Sequence, residues 1–196
     1  MTTTTNYEKH ISSNPIQRKL LDNFNKRLIA LITESKAGSI LDAGCGEGFT
    51  LSLLKRSKLG KKLVGIDFED DALKLAQKIN PLLNISKASI YDLPYKNNEF
   101  DLVICSEVLE HLTDPVKAIS EIVRVSKKYV LISVPNEPYF MLANFLRGKY
   151  LSHWGNHPEH INHWTSSAIK LFAESHGLKV KKIFTPFAWT ILLGVK

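Results

Sequence analysis

Residues 40–48 constrain the fold of this chain more than any other stretch. An apolar run stops at Asp42, and glycines follow at positions 44, 46 and 48. Glycine lets a chain turn sharply after a strand and lets the backbone approach a ligand that a side chain would keep away. We predict a helix over residues 49–56 that packs back on the preceding strand. The stretch therefore predicts a strand, a ligand-binding turn and a helix in succession.

The same alternation of strand and helix continues along the chain. Asn14 followed by Pro15, and Asp114 followed by Pro115, are typical helix starts. Short apolar runs that stop at an acid or a proline are typical of buried parallel strands. The predicted strands are residues 39–43, 63–67, 84–88, 100–105, 129–134, 178–184 and 189–195, and the predicted helices include 14–35, 70–79 and 165–176. This order predicts an α/β fold with a parallel sheet and helices on both faces.

The length and the cysteines limit the class of protein. A chain of 196 residues fits a single domain, 1–196, that buries a core without disulfides. Cys45 and Cys105 lie far apart and lack the spacing of metal ligands, so we expect reduced thiols in a cytoplasmic protein. No apolar run reaches the ~20 residues that a membrane-spanning helix needs. Residues 1–9 are polar, and we expect a loose tail there with neither a signal peptide nor a lipidation site.

The formal net charge of +7 raises nucleic acid as a partner. Most lysines precede predicted strands, and others end predicted helices, where a cation offsets the helix dipole. In an alternating strand-helix fold both places lie at the amino edge of the sheet, opposite the carboxyl edge where ligands bind. The placement of the charge argues against nucleic acid as the substrate.

Residues 138–163, called the aromatic segment below, break the alternation. They are rich in Tyr, Phe, Trp and His and follow the fifth predicted strand at its carboxyl end. A segment at that position would cover the ligand site as a lid. Its apolar side chains, Phe140, Met141, Phe145 and Trp154 among them, favour an apolar substrate or peripheral contact with a membrane surface.

Two acids frame the glycine turn. Asp42 ends the first predicted strand, and Asp67 ends the second, roughly 20 residues beyond the turn. A carboxylate at the second position accepts both hydroxyls of a ribose, which suits any adenosine cofactor. The glycines recur at every second position instead of the spacing that a dinucleotide needs, and Glu47 would repel a pyrophosphate. A cofactor with a positive or zwitterionic group in place of phosphate fits better.

Together these motifs resemble the class I S-adenosylmethionine-dependent methyltransferases, in particular the group with a Leu-Asp-x-Gly-Cys-Gly-x-Gly signature. The stretches that carry the resemblance are the first motif at 41–48, the ribose-binding acid at 65–67, the third and fourth strand regions at 93–95 and 100–103, the segment after strand four at 106–112, and the seventh strand at 189–195. The resemblance implies a Rossmann-like doubly wound sheet of seven strands, mostly parallel with an antiparallel last strand. It also implies S-adenosylmethionine as the cofactor.

The resemblance further implies which residues bind that cofactor. Asp42 and the backbone of the glycine turn would hold the methionine part, Asp67 would accept the ribose hydroxyls, and Phe68 would lie beside the adenine. Where the family carries an acid for the adenine amino group this chain has Ser89, and Asp92 is an alternative. The predicted cofactor-binding residues are Asp42, Gly44, Cys45, Gly46, Gly48, Asp67, Phe68, Ser89, Ile90 and Ser106.

The expected reaction is attack by a substrate hydroxyl or carbon on the sulfonium methyl group. It needs alignment of the two groups and, for a hydroxyl, removal of a proton. Histidine titrates near neutrality, so His111 is the first candidate base, with His160 and His163 of the aromatic segment as rivals. A structural role at a helix start explains His111 equally well. The expected substrate is a small, partly apolar molecule such as a quinone-like ring.

A metal site is an alternative use of the segment after strand four. Glu107, Glu110 and His111 would share one helical face if a helix began near Glu107, and a histidine of the aromatic segment would complete a set of oxygen and nitrogen ligands. The candidates there are His157, His160 and His163. The stretch Glu-x-x-Glu-His resembles both metal-dependent methyltransferases of small-RNA 3' ends and ubiquinone-biosynthesis O-methyltransferases. We assign no metal ligands, keep RNA-end methylation and a non-catalytic partner subunit as alternatives, and leave the oligomeric state open.

Overall fold

Strands and helices alternate along the part of the chain that the computed structural model describes, residues 4–137 and 139–196. The strands are β1 (Ser39–Ala43), β2 (Lys62–Asp67), β3 (Asn84–Lys87), β4 (Phe100–Ser106), β5 (Ser126–Pro135), β6 (Lys179–Phe184) and β7 (Trp189–Val195). The helices are α1 (Thr5–Ile11), α2 (Pro15–Ser35), α3 (Phe49–Arg56), α4 (Asp70–Ile79), α5 (Pro115–Val125), α6 (Tyr139–Leu146) and α7 (Ser166–Ser175), with short 3-10 helices at Leu109–His111 and Leu151–His153.

The seven strands form one sheet in the order β3-β2-β1-β4-β5-β7-β6. Strands β1 to β5 pair in parallel, and β7 runs antiparallel to both of its neighbours, β5 and β6. Strand β1 lies between β2 and β4, so that Asp42 lies beside Gly65 of β2 and Ile104 of β4. The predicted Rossmann-like α/β sheet, mostly parallel with an antiparallel last strand, is confirmed.

Apolar side chains pack on both faces of this sheet. In β1, Leu41 belongs to the core on one face and Ile40 to the core on the other, because successive residues of a strand point to opposite faces. Helix α5 covers the first face through residues such as Ile119, and α2 covers the second through residues such as Leu28. The two cores confirm the prediction that helices flank the sheet on both sides.

Two helices begin where the Asx-Pro pairs predict. The Asn14 side chain accepts hydrogen bonds from the backbone N–H groups of Ile16 and Gln17, at 3.0 and 3.1 Å. The Asp114 side chain accepts one from the backbone N–H of Lys117, at 2.9 Å. Each cap satisfies N–H groups that the first helical turn leaves without a partner. The helix predicted over 14–35 is therefore observed as α2.

The chain before α2 differs from the expected loose tail. Residues 5–11 form α1, and Thr4 caps this helix by accepting a hydrogen bond from the backbone N–H of Tyr7 at 3.0 Å. The expectation of a tail is wrong over residues 4–9, because a polar stretch with a capping threonine forms a helix that packs on the rest of the protein. Residues 1–3 lie outside the described residues.

The aromatic segment follows β5 and returns across the carboxyl edge of the sheet. It contains α6 and the 3-10 helix Leu151–His153, and residue 138 of the prediction lies outside the described residues. The backbone N–H groups of Ile161 and Asn162 donate hydrogen bonds to the carbonyl oxygen of Glu110, at 2.9 and 3.0 Å. These bonds hold the end of the aromatic segment against the turn that follows β4.

The basic residues lie largely at the opposite edge of the sheet. Lys62 begins β2, Lys127 follows the first residue of β5, and Lys179 begins β6. Several of these cations are paired, as Lys182 is with Glu34 at 2.9 Å. The predicted placement of positive charge away from the carboxyl edge is observed. Within the described part of the chain, no helix is both long and apolar enough to cross a membrane.

Candidate active site

The glycine turn connects β1 to α3 at the carboxyl edge of the sheet. The backbone N–H groups of Gly44 and Cys45 donate hydrogen bonds to the carbonyl oxygen of Ile66, at 2.8 and 2.9 Å. Gly44 has a φ of 84°, and a Cβ atom there would lie 2.5 Å from Val108 Cγ2. The position therefore requires glycine. Gly48 precedes α3 and offers no side chain to cap it, so the first N–H groups of that helix face the turn.

Asp42 is buried beneath the turn, with 1% of its surface exposed. Its Oδ2 atom has no hydrogen-bond partner among the described residues. Burial, and then the negative charge of Asp67, raise the pKa of Asp42 to about 7. A buried carboxylate without a partner is costly, and a nearby cation removes that cost. The site therefore fits a cofactor such as S-adenosylmethionine, which carries a sulfonium and an amino group.

Asp67 ends the neighbouring strand and shapes the turn. Its two carboxylate oxygens accept hydrogen bonds from the backbone N–H groups of Gly46, at 2.7 Å, and Glu69, at 2.9 Å. Each carboxylate oxygen has a second lone pair, so both can still accept a ribose hydroxyl. Phe68 follows with 64% of its surface exposed, and Lys87 Nζ lies 5.4 Å from its ring centroid.

The other predicted cofactor residues lie at the same edge of the sheet, and they differ in exposure and in hydrogen-bond partners. Ser89 Oγ accepts a hydrogen bond from the backbone N–H of Tyr91 at 3.2 Å, within its own turn. Ile90 is buried, and Asp92, the alternative to Ser89, is exposed. Ser106 Oγ lies 2.8 Å from Ser133 Oγ, between β4 and β5. Their contact with the cofactor stays a prediction.

Helix α1 lies over the glycine turn. The Glu47 carboxylate is buried and accepts hydrogen bonds from Thr4 Oγ1 and Asn6 Nδ2. The ring of His10 stacks on Phe49 at the start of α3, with the centroids 4.0 Å apart and the planes inclined by 6°. Burial, and then the neighbouring lysine at position 9, lower the pKa of His10 to about 4. Glu47, expected only to disfavour pyrophosphate, thus also anchors the helix that covers the turn.

A cluster of three polar side chains lies beside the glycine turn. Glu110, His111 and His160 each direct one atom to within 4.8 Å of the others. Glu110 Oε2 and His160 Nδ1 are buried and have no hydrogen-bond partner among the described residues. His111 Nδ1 lies 2.9 Å from the carbonyl oxygen of Glu159. Val108, which packs on Gly44, places this cluster next to the turn.

The surroundings of the cluster favour uncharged side chains. Burial, and secondly the charge of Glu107, raise the pKa of Glu110 well above its ordinary value. Desolvation is the main cause that lowers the pKa of His111. A neutral imidazole can accept a proton or ligate a metal ion, so the environment keeps His111 in the form that either role requires.

Glu137 is a member of this region that the sequence analysis missed. It is buried, its Oε1 atom lies 3.7 Å from His160 Nδ1, and its Oε2 atom accepts a hydrogen bond from the backbone N–H of Met141 at 3.2 Å. Oε1 has no hydrogen-bond partner among the described residues. The sequence feature that could have predicted a role for Glu137 was its position two residues after β5, at the edge of the sheet where Asp42 and Asp67 also lie.

Glu107 lies apart from the cluster. Its φ of 58° puts it in the left-handed region, and the 3-10 helix begins only at Leu109. Its carboxylate accepts hydrogen bonds from Ser133 Oγ at 2.9 Å and Trp189 Nε1 at 2.6 Å. The expectation that Glu107 shares a helical face with Glu110 and the next residue is therefore wrong. Trp189, which β7 brings to this edge, was also missed by the sequence analysis.

The aromatic segment contributes unequally to the cluster. His157 stacks on His160 with the ring centroids 4.9 Å apart, and Phe140 lies 5.2 Å from the same ring. His163 is exposed. Among the described residues, the three-membered cluster contains His160 but neither His157 nor His163. The structure thus brings together the two predicted catalytic residues, His111 and His160, whose roles stay predictions.

Both cysteines are buried and free of disulfides. Burial raises the pKa of Cys45 and of Cys105, so their thiols stay protonated. Cys45 thus contributes to the turn through its backbone and its packing.

Sequence comparison identifies a family with these features. The family described as methyltransferase domain matches residues 41–133, which include the glycine turn and Asp67. A demethylmenaquinone methyltransferase of Lactiplantibacillus plantarum is 32% identical over 112 residues, which cover 54% of this chain and 47% of that protein. This chain spans less than two thirds of the length of the curated relatives that it matches.

Solved structures share the fold over nearly the whole chain. A SAM-dependent methyltransferase from Aquifex aeolicus has a TM-score of 0.72 and 21% identity, over 98% of this chain and 99% of that chain. Magnesium protoporphyrin IX methyltransferase from Synechocystis PCC 6803, with bound SAH, has a TM-score of 0.68 and 16% identity, over 98% and 95%. Residues 41–133 thus match a methyltransferase domain, and the sheet has the fold of the two solved methyltransferases. The turn with its two acids fits S-adenosylmethionine as the cofactor.

Proposed function

We propose that the protein transfers the methyl group of S-adenosylmethionine to a hydroxyl or carbon of a small, partly apolar molecule, such as a quinone-like ring. The observation that carries this proposal is the position of His111 and His160, whose rings lie next to the glycine turn with their centroids 5.0 Å apart. The apolar ring of Phe140 stacks on His160, with the centroids 5.2 Å apart. The similarity to a demethylmenaquinone methyltransferase supports the same class of substrate.

The protein's own residues would bind and orient the reactants. Asp42 balances positive charge on the cofactor, and Asp67 accepts its ribose hydroxyls. The bound cofactor supplies an activated methyl group, so the protein needs no nucleophile of its own. His111 removes the proton of an attacking hydroxyl, with His160 beside it at a ring distance of 5.0 Å. Phe140 and the rest of the aromatic segment exclude water from the acceptor.

Titration calorimetry with S-adenosylmethionine, followed by a methyl-transfer screen, tests this proposal. The labelled cofactor is incubated with the protein and with separate small-molecule and RNA fractions of cells. We expect binding and label in an apolar small molecule. No binding would overturn the methyltransferase assignment, and binding without label in any fraction would support a non-catalytic partner subunit instead.

The cluster of Glu110, His111 and His160 supports a second candidate, metal-assisted methylation of an RNA end. Two of its atoms, Glu110 Oε2 and His160 Nδ1, are buried without a partner. A carboxylate and two imidazoles suit a divalent cation such as Zn²⁺ or Mn²⁺. A metal there would polarise the acceptor hydroxyl, which would replace proton removal by His111.

Metal titration separates the two candidates. Zn²⁺ and Mn²⁺ are titrated by calorimetry into the wild type and into Glu110→Gln. If the small-molecule proposal holds, no metal binding should depend on Glu110. Binding that Glu110→Gln abolishes, together with activity lost in chelator and label in RNA, would favour the metal-assisted reaction.

A further inference from the structure

Large apolar side chains project from the outer side of the aromatic segment. On α6, Leu142 and Leu146 are 54% and 76% exposed, and beyond it Leu151 and Trp154 are 54% and 76% exposed. Phe145 stacks on Trp154, with the ring centroids 6.1 Å apart. Tyr139, Leu142, Phe145 and Leu146 follow one stripe of the helix because they recur at three- and four-residue intervals. We call these side chains, with Leu151 and Trp154, the apolar patch.

The backbone beneath the apolar patch is held by polar contacts that face inward. Asn144 is buried, and its Nδ2 donates a hydrogen bond to the carbonyl oxygen of Gly155 at 3.1 Å. The backbone carbonyl oxygen of Asn144 accepts hydrogen bonds from the backbone N–H groups of Arg147 and Lys149, at 3.1 and 2.9 Å. A Cβ atom at position 155 would lie 2.0 Å from the carbonyl oxygen of Met141, so only glycine allows this close approach. This part of the aromatic segment thus buries the Asn144 amide and exposes the side chains of the apolar patch.

The stretch that carries the apolar patch, residues 139–156, contains charges of one sign. Residues 139–156 contain Arg147 and Lys149 and no acidic residue. Both cations are exposed, and neither takes part in an ion pair within residues 4–137 and 139–196. Exposed aliphatic and aromatic side chains beside unpaired cations are typical of surfaces that lie on anionic membranes.

We propose that the apolar patch docks this protein on the surface of an anionic lipid bilayer. Leu142, Leu146 and the Phe145–Trp154 pair would enter the boundary between head groups and acyl chains. Arg147 and Lys149 would contact lipid phosphates. The aromatic segment begins just after β5, so docking turns the carboxyl edge of the sheet, with its site, toward the membrane. This inference does not depend on the substrate proposed above.

A second copy of the chain is the competing occupant. Two copies of the apolar patch placed face to face would bring Arg147 and Lys149 of both chains together, with no acidic residue in 139–156 to compensate. Charge complementarity therefore selects the lipid.

Co-sedimentation of the full chain with vesicles tests the proposal, without cofactor or substrate. Vesicles of phosphatidylglycerol and phosphatidylcholine are compared with vesicles of phosphatidylcholine alone, at low and high salt. We expect binding to the anionic vesicles to fall with salt, and to fall at least about tenfold in Arg147→Gln/Lys149→Gln. The charge control is Lys58→Gln/Lys61→Gln, at the opposite edge of the sheet, which should bind like the wild type.

The apolar contribution is tested with Leu146→Ser/Trp154→Ser. This variant should lose at least about tenfold in vesicle binding while its melting temperature changes little, because both side chains are largely exposed. Leu82→Ser and Leu171→Ser remove equally exposed apolar residues elsewhere and should bind normally. Equal sedimentation of the variant and the wild type would overturn the proposal. A second result would also overturn it. In that case the wild type forms a dimer in size-exclusion chromatography and does not bind vesicles, and Leu146→Ser/Trp154→Ser is monomeric.

Discussion

The glycine turn and the aromatic segment both lie at the carboxyl edge of the sheet, yet they are built in different ways. The turn is held by backbone N–H groups that bond to Ile66 and Asp67 of the adjacent strand. The aromatic segment is held by contacts to distant parts of the chain: its Asn162 Nδ2 donates hydrogen bonds to the backbone carbonyl oxygens of Leu109 and Leu112, at 3.0 and 2.6 Å. The turn therefore needs a fixed residue at most of its positions, whereas the segment, Gly155 apart, mainly needs complementary partners.

We expect this difference to separate cofactor binding from the choice of substrate. A backbone cradle recognises one ligand and tolerates few changes, because each glycine and acid has a geometric role. A side-chain surface can change residue by residue without disturbing the sheet. We therefore expect variants of the turn to lose the cofactor, and variants of the cluster beneath the aromatic segment to retain the cofactor but lose transfer.

The largest expected effect is on methyl transfer. His111→Gln should lower the transfer rate about 1000-fold, because it removes the proposed base, while the dissociation constant for S-adenosylmethionine stays within about twofold. The rate is measured with the acceptor found in the screen and the affinity by calorimetry. The exposed His163→Gln is the control and should keep its rate. A loss of cofactor affinity as large as the loss of rate would show that the two regions are not separable.

The next effect concerns the cofactor. Asp67→Ala should weaken S-adenosylmethionine binding about 100-fold, because it removes the two proposed ribose contacts and the hydrogen bond that positions Gly46. Calorimetry gives the affinity, and Asp71→Ala, an exposed acid on α4, serves as the control. Intact binding in Asp67→Ala would contradict the assigned role of this carboxylate.

A smaller effect concerns stability without cofactor. The pKa of Asp42 is raised to about 7, so the folded protein holds this proton more tightly than the unfolded chain. That stabilisation is complete below the ordinary pKa and is lost as the pH rises through about 7. Asp42→Asn should therefore raise the free energy of unfolding at pH 8 by about 2 kcal/mol, and the gain should vanish near pH 4.

Denaturant unfolding at both pH values measures this difference. The same variant should bind S-adenosylmethionine more weakly, because the missing charge is the one that balances the cofactor. A variant less stable than the wild type at pH 8 would show that Asp42 has a partner in the free protein.

The smallest effect concerns the helix over the turn. The pKa of His10 is lowered to about 4, so docking of α1 is fully stable above the ordinary histidine pKa and weakens as the pH falls through about 4. The protection factors of the amides in residues 4–11, which correct for the pH dependence of intrinsic hydrogen exchange, should fall between pH 6 and pH 4. His10→Phe keeps the stacking on Phe49 without a titrating group and should remove this loss of protection. The same acid-induced loss in the variant would assign it to another group.

The sequence was sufficient for the sheet and for the positions of the glycine turn and its two acids. Buried strands, Asx-Pro helix starts and the glycine turn are local patterns, and each was observed at or near its predicted position. Strand β5 began earlier than predicted, at Ser126, because its first residues are polar and lie outside the apolar run.

Other features depended on contacts that no local pattern contains. The docking of α1 rests on Glu47, more than thirty residues away along the chain. Glu107 adopts the left-handed conformation because Ser133 and Trp189 hold its carboxylate, so the predicted helical face never forms. Glu137 meets His160 only after the aromatic segment has folded back on the sheet. Such pairings become visible only in three dimensions.

The antiparallel course of β7 also has a consequence for changing this protein by design. Strands β1 to β5 bring their last residues to the site, whereas β7 brings its first, Trp189. The connection before it, residues 185–188, is fastened by the bond from the Asn136 N–H to the carbonyl oxygen of Ala188 at 2.9 Å. A loop grafted into this connection between β6 and β7 would change the surface that faces the methyl acceptor. The strands that carry the predicted cofactor residues would keep their register.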